Sequence, residues 1–236
     1  MMGVVGVSKR FGKLAVLDGL DLSIRPGRVT AVVGPNAAGK TTLIKILLGL
    51  THPDAGQVLL DGAPVAGDGA YRARIGYMPQ IARFPENLSG RDLLSLLTKL
   101  RGAGTATDES LIGELGLDAQ LDKPLRTLSG GTRQKVNAVM ALLFAPEVLI
   151  LDEPTAGLDP IASSILKDRV LLERSRGRTV IIASHIMSEL EELADDVAFL
   201  LDGRIRFSGP LEELRRRTRQ SSLERAIAQL MVREAA

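Results

Sequence analysis

The chain has 236 residues, of which 45% are hydrophobic and 25% are charged. Its 30 Lys and Arg residues nearly balance 28 Asp and Glu, and a net charge of +2 is too small to indicate a nucleic-acid-binding protein. The absence of Cys excludes disulfides, cysteine-ligated metals and thiol catalysis.

Nothing in the sequence predicts a membrane span or a signal peptide. The longest apolar stretch, from Val136 to Leu151, is interrupted by Asn137, Pro146 and Glu147 and falls short of the roughly 18 to 20 residues that cross a bilayer. The N-terminus lacks the basic start, apolar centre and small-residue cleavage site of a signal peptide. We therefore expect a soluble, cytoplasmic chain, which needs a second polypeptide for any membrane process that it serves.

The first predicted elements are short strands joined by turns, up to about Ile24. The β-branched run from Val29 to Val33 predicts a buried strand, and Thr41 to Leu50 predicts a helix. Between them, residues 34–41 (GPNAAGKT) form a complete phosphate-binding loop, GxxxxGK[ST], in the strand–loop–helix context that this motif requires. Two short strands are expected next, at 57–62 and 74–78.

Helices are predicted from about residue 85 to 145, where Ser89 and Asp92 resemble a capping box. Strand patterns then return, and Asp202-Gly203 predicts a hairpin turn. The pattern indicates an α/β nucleotide-binding core that is interrupted by a helical insertion. The remaining predicted helices lie at 111–117, 132–144, 161–174 and 187–194, and the remaining strands at 148–151, 179–183 and 197–201.

The phosphate-binding loop supplies positive potential without side-chain bulk, because backbone N–H groups at a helix N-terminus face the phosphates. Lys40 adds a point charge for the β- and γ-phosphates, and the Thr41 hydroxyl can ligate Mg²⁺. Ala37 stands where many such loops have Gly. Because Ala tolerates positive φ poorly, either this position is not left-handed or the loop accepts some strain.

Two further motifs carry chemistry downstream. Asp152 and Glu153 end a buried apolar strand, where Asp152 can hold Mg²⁺ through water and Glu153 can orient or deprotonate an attacking water. The motif Leu128-Ser129-Gly130-Gly131 precedes a helix, so its hydroxyl and bare N–H groups can form a second anion site. The alternative for this motif is a simple helix cap by Ser129.

With all these motifs in this order, the chain resembles the ATP-hydrolysing subunit of an ABC (ATP-binding cassette) transporter, from about Val4 to about Leu214. The resemblance implies a P-loop (RecA-like) α/β nucleotide-binding core with an N-terminal antiparallel β subdomain and an inserted α-helical subdomain. Within a single domain 1–236, the core would comprise 1–84 and 146–214. The helical signature subdomain would comprise 85–145, and a C-terminal helical tail 215–236.

The resemblance also implies roles for residues that the pattern alone leaves ambiguous. Gln80 would reach Mg²⁺ or the attacking water, and His185 the γ-phosphate, although a lone Gln or His is more often polar surface or a satisfied core residue. Phe11 would stack on adenine beside Val16, with burial of Phe11 in the core as the alternative.

The expected site residues form three groups. The catalytic group is Glu153, His185 and Gln80. The magnesium group is Thr41, Gln80 and Asp152. The nucleotide-binding group is Phe11, Val16, Gly34, Pro35, Asn36, Ala37, Ala38, Gly39, Lys40, Thr41, Thr42, Ser129, Gly130 and Gly131.

By the same resemblance, ATP and Mg²⁺ are the cofactors, and the chain dimerises on ATP with a second copy or a paralogous ATPase subunit. The dimer would drive a membrane-spanning permease from the inner face of the cell membrane, with no nucleic-acid partner. A soluble ABC ATPase acting on nucleic acid or ribosomes is the alternative, but such relatives carry a coiled-coil insertion or two cassettes. A nucleotide-gated regulator without turnover is disfavoured by Glu153.

Two regions bear on specificity and partners. Residues 77–87 and 132–136 look similar to ATPases of the copper-processing, nitrous-oxide-reductase maturation type. The arginines at 215–217 and 219 are typical of a solvated helix end, with contact to lipid headgroups or a partner as the alternative. The transported substrate and the direction of transport are open at this stage.

Overall fold

The computed structural model describes residues 1–65, 67, 69–102 and 104–234. Within these ranges the strands are β1 (Met2–Phe11), β2 (Leu14–Ile24), β3 (Val29–Val33), β4 (Ala55–Leu60), β5 (Ala63–Pro64), β6 (Ile75–Met78), β7 (Val148–Asp152), β8 (Thr179–Ala183), β9 (Asp196–Leu201) and β10 (Arg204–Pro210). The helices are α1 (Lys40–Leu47), α2 (Gly90–Arg101), α3 (Ser110–Glu114), α4 (Gly130–Leu142), α5 (Pro160–Ser175), α6 (Met187–Leu193), α7 (Leu211–Thr218) and α8 (Leu223–Glu234). Short 3₁₀ turns span Ala70–Arg74 and Leu125–Thr127.

The strands form two sheets. An antiparallel sheet has the order β2-β1-β4-β5, and a six-stranded sheet has the order β10-β9-β3-β8-β7-β6. In the larger sheet the five strands from β9 to β6 are parallel, and only β10 runs antiparallel, as the second strand of a hairpin. The hairpin turns at Asp202 and Gly203, which both have positive φ, as their sequence predicts.

The central strands are apolar because both faces of the parallel sheet are covered. Every residue of β3, β7 and β8 is buried. Side chains such as Val32, Ile150 and Ile181 pack with α1 and the antiparallel sheet. The alternate residues of these strands, such as Ala31 and Ile182, face the other side of the sheet and belong to a second cluster with helices α2 to α8. The apolar runs in the sequence therefore correctly predicted the core of the sheet.

Helices α2, α3 and α4 lie between β6 and β7, and all three fall within the predicted helical insertion 85–145. Ser89 and Asp92 form the predicted capping box at the start of α2. The N-terminal region differs from its prediction, because β1 and β2 are long strands of 10 and 11 residues rather than several short ones. The two-residue strand β5 has no counterpart among the predicted elements.

The C-terminal helices pack on the rest of the chain. Leu223 and Ala226 of α8 are fully buried in the cluster on the helical face of the sheet. Arg215 pairs with Glu191 and Glu212, which accounts for part of the arginine cluster through contacts within the chain. Within the described ranges, no helix combines the length and apolar character needed to cross a membrane.

Candidate functional site

Four sequence motifs meet because they follow neighbouring parallel strands. The order β3-β8-β7-β6 places the phosphate-binding loop after β3 and His185 after β8. Asp152 ends β7, and Gln80 lies two residues beyond β6. Since the carboxyl ends of parallel strands lie at one edge of a sheet, residues from four distant segments line one site there.

The phosphate-binding loop curls tightly and leads directly into α1. The amide of Ala38 donates to the carbonyl of Pro35 at 3.2 Å, and Leu43 N donates to Gly39 O at 2.9 Å. Gly39 has a φ of 107°, and a Cβ there would lie 2.7 Å from Leu17 Cδ2. Only glycine fits this turn, and the turn aims the first N–H groups of α1 into the loop, where a phosphate can accept from them.

Ala37 adopts a φ of 63°, in the left-handed region. The loop therefore accepts the strain that the sequence left open. A left-handed conformation costs a residue with a Cβ about 1 to 2 kcal/mol. Ala37 is exposed, so no buried contact of its methyl group offsets this cost.

The loop borders a cavity of about 540 Å³ that contains most of the predicted nucleotide and metal residues. Gly34 and Pro35 are not among the residues that line it, and they form the base of the loop instead. The lining residues are Leu14, Val16, Asn36, Ala37, Ala38, Gly39, Lys40, Thr41, Thr42, Gln80, Asp152, Glu153 and His185.

Lys40 is half-buried and holds backbone carbonyls of its own loop. Its Nζ donates to Gly34 O at 2.6 Å and to Pro35 O at 3.1 Å. Burial lowers the pKa of Lys40, although the negative charges of Glu153 and Asp152 oppose that shift. These carbonyl partners are neutral, and the phosphates of a bound triphosphate would supply the negative charge that balances the ammonium.

Asp152 and Glu153 are both buried at the end of β7. Burial, together with the charge of Glu153, raises the pKa of Asp152, whereas Lys40 lowers it. Among the residues that line the cavity, these two acids face a single lysine, Lys40, and Lys45 is a further counter-charge outside the cavity. This imbalance favours a cation in the cavity.

The donor set fits Mg²⁺. Asp152, Thr41 and Gln80 line the cavity and offer carboxylate, hydroxyl and amide oxygens, which are ligands of a hard cation. Among the described residues no cluster of three or more His, Asp or Glu side chains could hold a metal alone. Mg²⁺ is commonly held by one or two carboxylates together with phosphates and water, and Asp152 can supply such a carboxylate.

Glu153 is held by the segment that follows β8. Its Oε2 lies 2.8 Å from Nδ1 of His185, and it accepts from Ser184 Oγ at 3.2 Å. Glu153 also has a φ of 50°, which is uncommon for a residue with a side chain. His185 is not in the core, since 69% of its side chain is exposed, and its ring is directed to Glu153 rather than solely to solvent.

At the end of the cavity that is expected to receive adenine, the lining residues differ from those predicted. Phe11 is 53% exposed, which excludes its burial in the core, but it is not among the residues that line the cavity. Leu14, its cross-strand neighbour in the β1–β2 hairpin, lines the cavity together with Val16. Leu14 was not predicted from the sequence, and its pairing with Phe11 across a tight turn was the available signal.

The signature segment lies apart from the phosphate-binding loop of the same chain. Gly130 and Gly131 line a second cavity of about 810 Å³, and neither they nor Ser129 line the first. Gln80 borders both cavities. Ser129 Oγ accepts from Thr132 N at 3.1 Å, so Ser129 caps α4. This cap is compatible with the predicted second anion site, because the glycines still expose backbone N–H groups.

Two buried amide side chains, Gln134 and Asn137, were also missed. They lie on α4, and they donate to the backbone beside Glu153 and Gln80. Their position one helical turn apart, just after the glycines of the signature, was the available signal.

A family model described as "ABC transporter" matches residues 17–156, which is more than half of the chain. The chain belongs to the ABC transporter family. This ABC transporter subunit is 36% identical over 220 residues to the Nod factor export ATP-binding protein I of Ralstonia nicotianae, covering 91% of this chain and 68% of that protein. It is 38% identical over 220 residues to a daunorubicin resistance ATP-binding protein of Streptomyces coeruleorubidus, covering 91% and 70%.

Solved structures agree with this assignment. The ABC transporter subunit matches a structure described as the ATP binding subunit of an ABC transporter with a TM-score of 0.90 and 29% identity, covering 98% of this chain and 99% of that one. A dimeric cassette bound to ADP and Pi has the same fold, with a TM-score of 0.80 and 23% identity over 89% of this chain and 99% of that one. The predicted fold class is confirmed, and the chain is an ATP-hydrolysing subunit of an ABC transporter.

Proposed function

We propose that this subunit hydrolyses MgATP at composite sites between two copies of itself, or one copy and a paralogous ATPase subunit, and so drives a membrane-spanning permease. One observation carries the proposal. The cavity of the phosphate-binding loop contains a buried acid, Glu153, paired with His185 at 2.8 Å. An acid held beside a phosphate site by a second polar group is suited to activating water.

Within one chain, the proposed roles follow from where the side chains lie. The phosphate-binding loop and Lys40 bind the phosphates, and Leu14 and Val16 border the base, next to the exposed ring of Phe11. Mg²⁺ would be held by Thr41, Asp152 and Gln80, and it would supply charge neutralisation on the phosphate oxygens. Glu153 accepts the proton of the attacking water or orients that water. In one tautomer His185 donates from Nδ1 to Glu153 and holds it in place, and in the other tautomer it can donate from Nε2 to a phosphate oxygen.

The second half of each site would come from the partner. Ser129, Gly130 and Gly131 lie outside the phosphate cavity of their own chain, and within one chain they have no phosphate to serve. Their N–H groups at the start of α4 suit a γ-phosphate held by another copy. We therefore infer that ATP closes a head-to-tail dimer and that hydrolysis reopens it.

We also propose that the transporter moves its substrate outward. The relatives carry names of a Nod factor export protein, a daunorubicin resistance protein and a lantibiotic transport protein, the last 34% identical over 87% of this chain and 89% of its own length. Such a subunit acts on the inner face of the cell membrane through its permease. The loop from Gln80 to Ser89, which follows a cavity residue and leads into α2, is the segment we assign to contact with the permease.

The proposed catalytic role is tested with Glu153→Gln. The amide keeps the shape of the side chain but cannot take a proton, so MgATP should still bind while steady-state phosphate release falls by about 100-fold or more. Size-exclusion chromatography should show this variant as a dimer with MgATP and mostly as a monomer without it. Phosphate release near the wild-type rate would refute the role of Glu153. Co-purification of the wild-type chain with a membrane subunit tests the transport role separately.

A further inference from the structure

Helix α4 buries two amide side chains that no step of the proposed mechanism uses. Gln134 is 6% exposed and Asn137 is 2% exposed. They are three residues apart and therefore share one face of the helix. A buried amide is costly unless its donors and acceptors are paired, so their partners indicate what they hold.

Their partners are backbone carbonyls on both sides of the site. Asn137 Nδ2 donates to Pro79 O at 2.8 Å and to Gln134 Oε1 at 3.3 Å. Gln134 Nε2 donates to Pro154 O at 3.3 Å and to Glu153 O at 3.5 Å. The two amides thus link the residue before Gln80 to Glu153 itself.

The helix that carries this pair packs closely against strand β6. At Gly76 of β6, a Cβ would lie only 2.0 Å from the carbonyl oxygen of Ala141 on α4. Such a close approach of helix and strand leaves little room for α4 to slide along β6. The two amides are therefore presented to the strand ends from a fixed position.

The backbone that they hold needs such support. Glu153 keeps a φ of 50°, and a strained residue keeps its conformation only when its surroundings determine it. The amide of Glu153 donates to Ala183 O at 2.7 Å, and Gln134 holds its carbonyl. Together these bonds secure the peptide groups on both sides of the Glu153 side chain.

We infer that Gln134 and Asn137 are positioning residues for ATP hydrolysis, which act by fixing the backbone that carries Gln80 and Glu153. The inference rests on the proposed roles of Gln80 and Glu153. Neither amide lines the cavity of the phosphate-binding loop, but Gln134 lines the second cavity beside the signature glycines. Asn137 lines neither cavity, so its loss should lower the rate and leave nucleotide binding unchanged. In each chain, α4 thus begins at the signature that faces the partner's phosphates, and the same helix holds the backbone of Gln80 and Glu153 at the chain's own phosphate site.

The first test compares Asn137→Leu, which keeps the size of the side chain and removes the donor, with Val139→Ala. Val139 is 1% exposed on the same helix, so Val139→Ala removes buried contacts but leaves the amide pair intact. Asn137→Leu should lower kcat at least about 10-fold, since misplaced catalytic groups lose rate steeply. Its Kd for MgATP should stay within about 2-fold of wild type, and Val139→Ala should leave kcat nearly unchanged. Asn137→Ala serves as the second variant if the leucine prevents folding.

The second test is a double-mutant cycle with Gln80→Ala. If Asn137 acts in part through Gln80, Asn137→Leu should lower kcat by a smaller factor in the Gln80→Ala chain than in the wild-type chain. The inference would be overturned if the fold-losses of kcat in the two single variants multiplied in the double variant. It would also be overturned if Asn137→Leu had the same kcat as Val139→Ala. Failure of the wild-type chain to hydrolyse ATP would instead contradict the proposed function.

Discussion

Replacing Ala37 by Gly should stabilise the protein, although it removes a methyl group. Ala37 has a φ of 63° and is exposed, so its methyl group is strained without being packed. Relief of the left-handed conformation yields about 1 to 2 kcal/mol. The greater freedom of Gly in the unfolded chain costs about 0.5 to 1 kcal/mol. The expected net gain is about 0 to 1.5 kcal/mol, which raises Tm by up to about 6 °C in a chain of this size.

Scanning calorimetry without nucleotide measures this gain. Ala38→Gly is the matched control, because Ala38 is 5% exposed and is not among the residues with positive φ. That control should lose about 1 to 2 kcal/mol, from the buried methyl group and the added backbone freedom. A fall in Tm for Ala37→Gly as large as that for Ala38→Gly would refute the account of strain in the phosphate-binding loop.

Two further changes test other parts of the molecule. Lys40→Ala should raise the Kd for MgATP strongly, because it removes the ammonium at the base of the loop. The control Lys45→Ala, on the exposed side of α1, should leave this Kd unchanged. A Kd of Lys40→Ala equal to that of wild type in calorimetry would contradict the assigned loop. Burial alone would raise the pKa of Asp108, but hydrogen bonds from Ser110 and Arg169 hold it at about 2. Because this pKa lies below the unfolded value of about 3.9, ionised Asp108 stabilises the fold above pH 4, and this stability is lost as the pH falls towards 2. Between pH 5 and 3 the unfolding free energy from urea titrations should fall more steeply in wild type than in Asp108→Asn. The difference should not exceed about 1 kcal/mol, because solvent screens this partly exposed carboxylate, and equal slopes would contradict its role.

The sequence was sufficient for the core of the fold because its strands are buried on both faces and read as apolar runs. Val29–Val33 and 179–183 match the observed strands, and Asp202-Gly203 forms the expected hairpin. The short strand β5 could not be predicted, because two residues have no period and depend on pairing with β4. The long β1 and β2 were expected to be broken, because they contain glycines with positive φ at bulges that tertiary pairing tolerates.

The site was predictable where a motif is continuous in sequence and less so where it depends on neighbours. The phosphate-binding loop, Asp152 and Glu153 line one cavity as expected. Leu14 reaches the site through its cross-strand pairing with Phe11. The amides of Gln134 and Asn137 reach it through contacts between a helix and two loops. Neither kind of contact can be read from the type of a single residue. The strain at Ala37 depends on its φ, which the sequence does not determine. From the sequence, a relaxed and a left-handed conformation were both possible. The resemblance of 77–87 and 132–136 to the copper-processing type stays a prediction.

The composite site is the central claim, and mixing two inactive chains tests it most directly. Lys40→Ala removes the phosphate-binding half of a site, and Ser129→Arg blocks the signature half. Each chain alone should be inactive. In a heterodimer one site loses both halves and the other keeps both, so an equal mixture should recover about a quarter of the wild-type ATPase rate if one intact site can turn over alone. No recovery in a mixture that demonstrably forms heterodimers, or full wild-type activity from a strict monomer across a wide concentration range, would contradict the account.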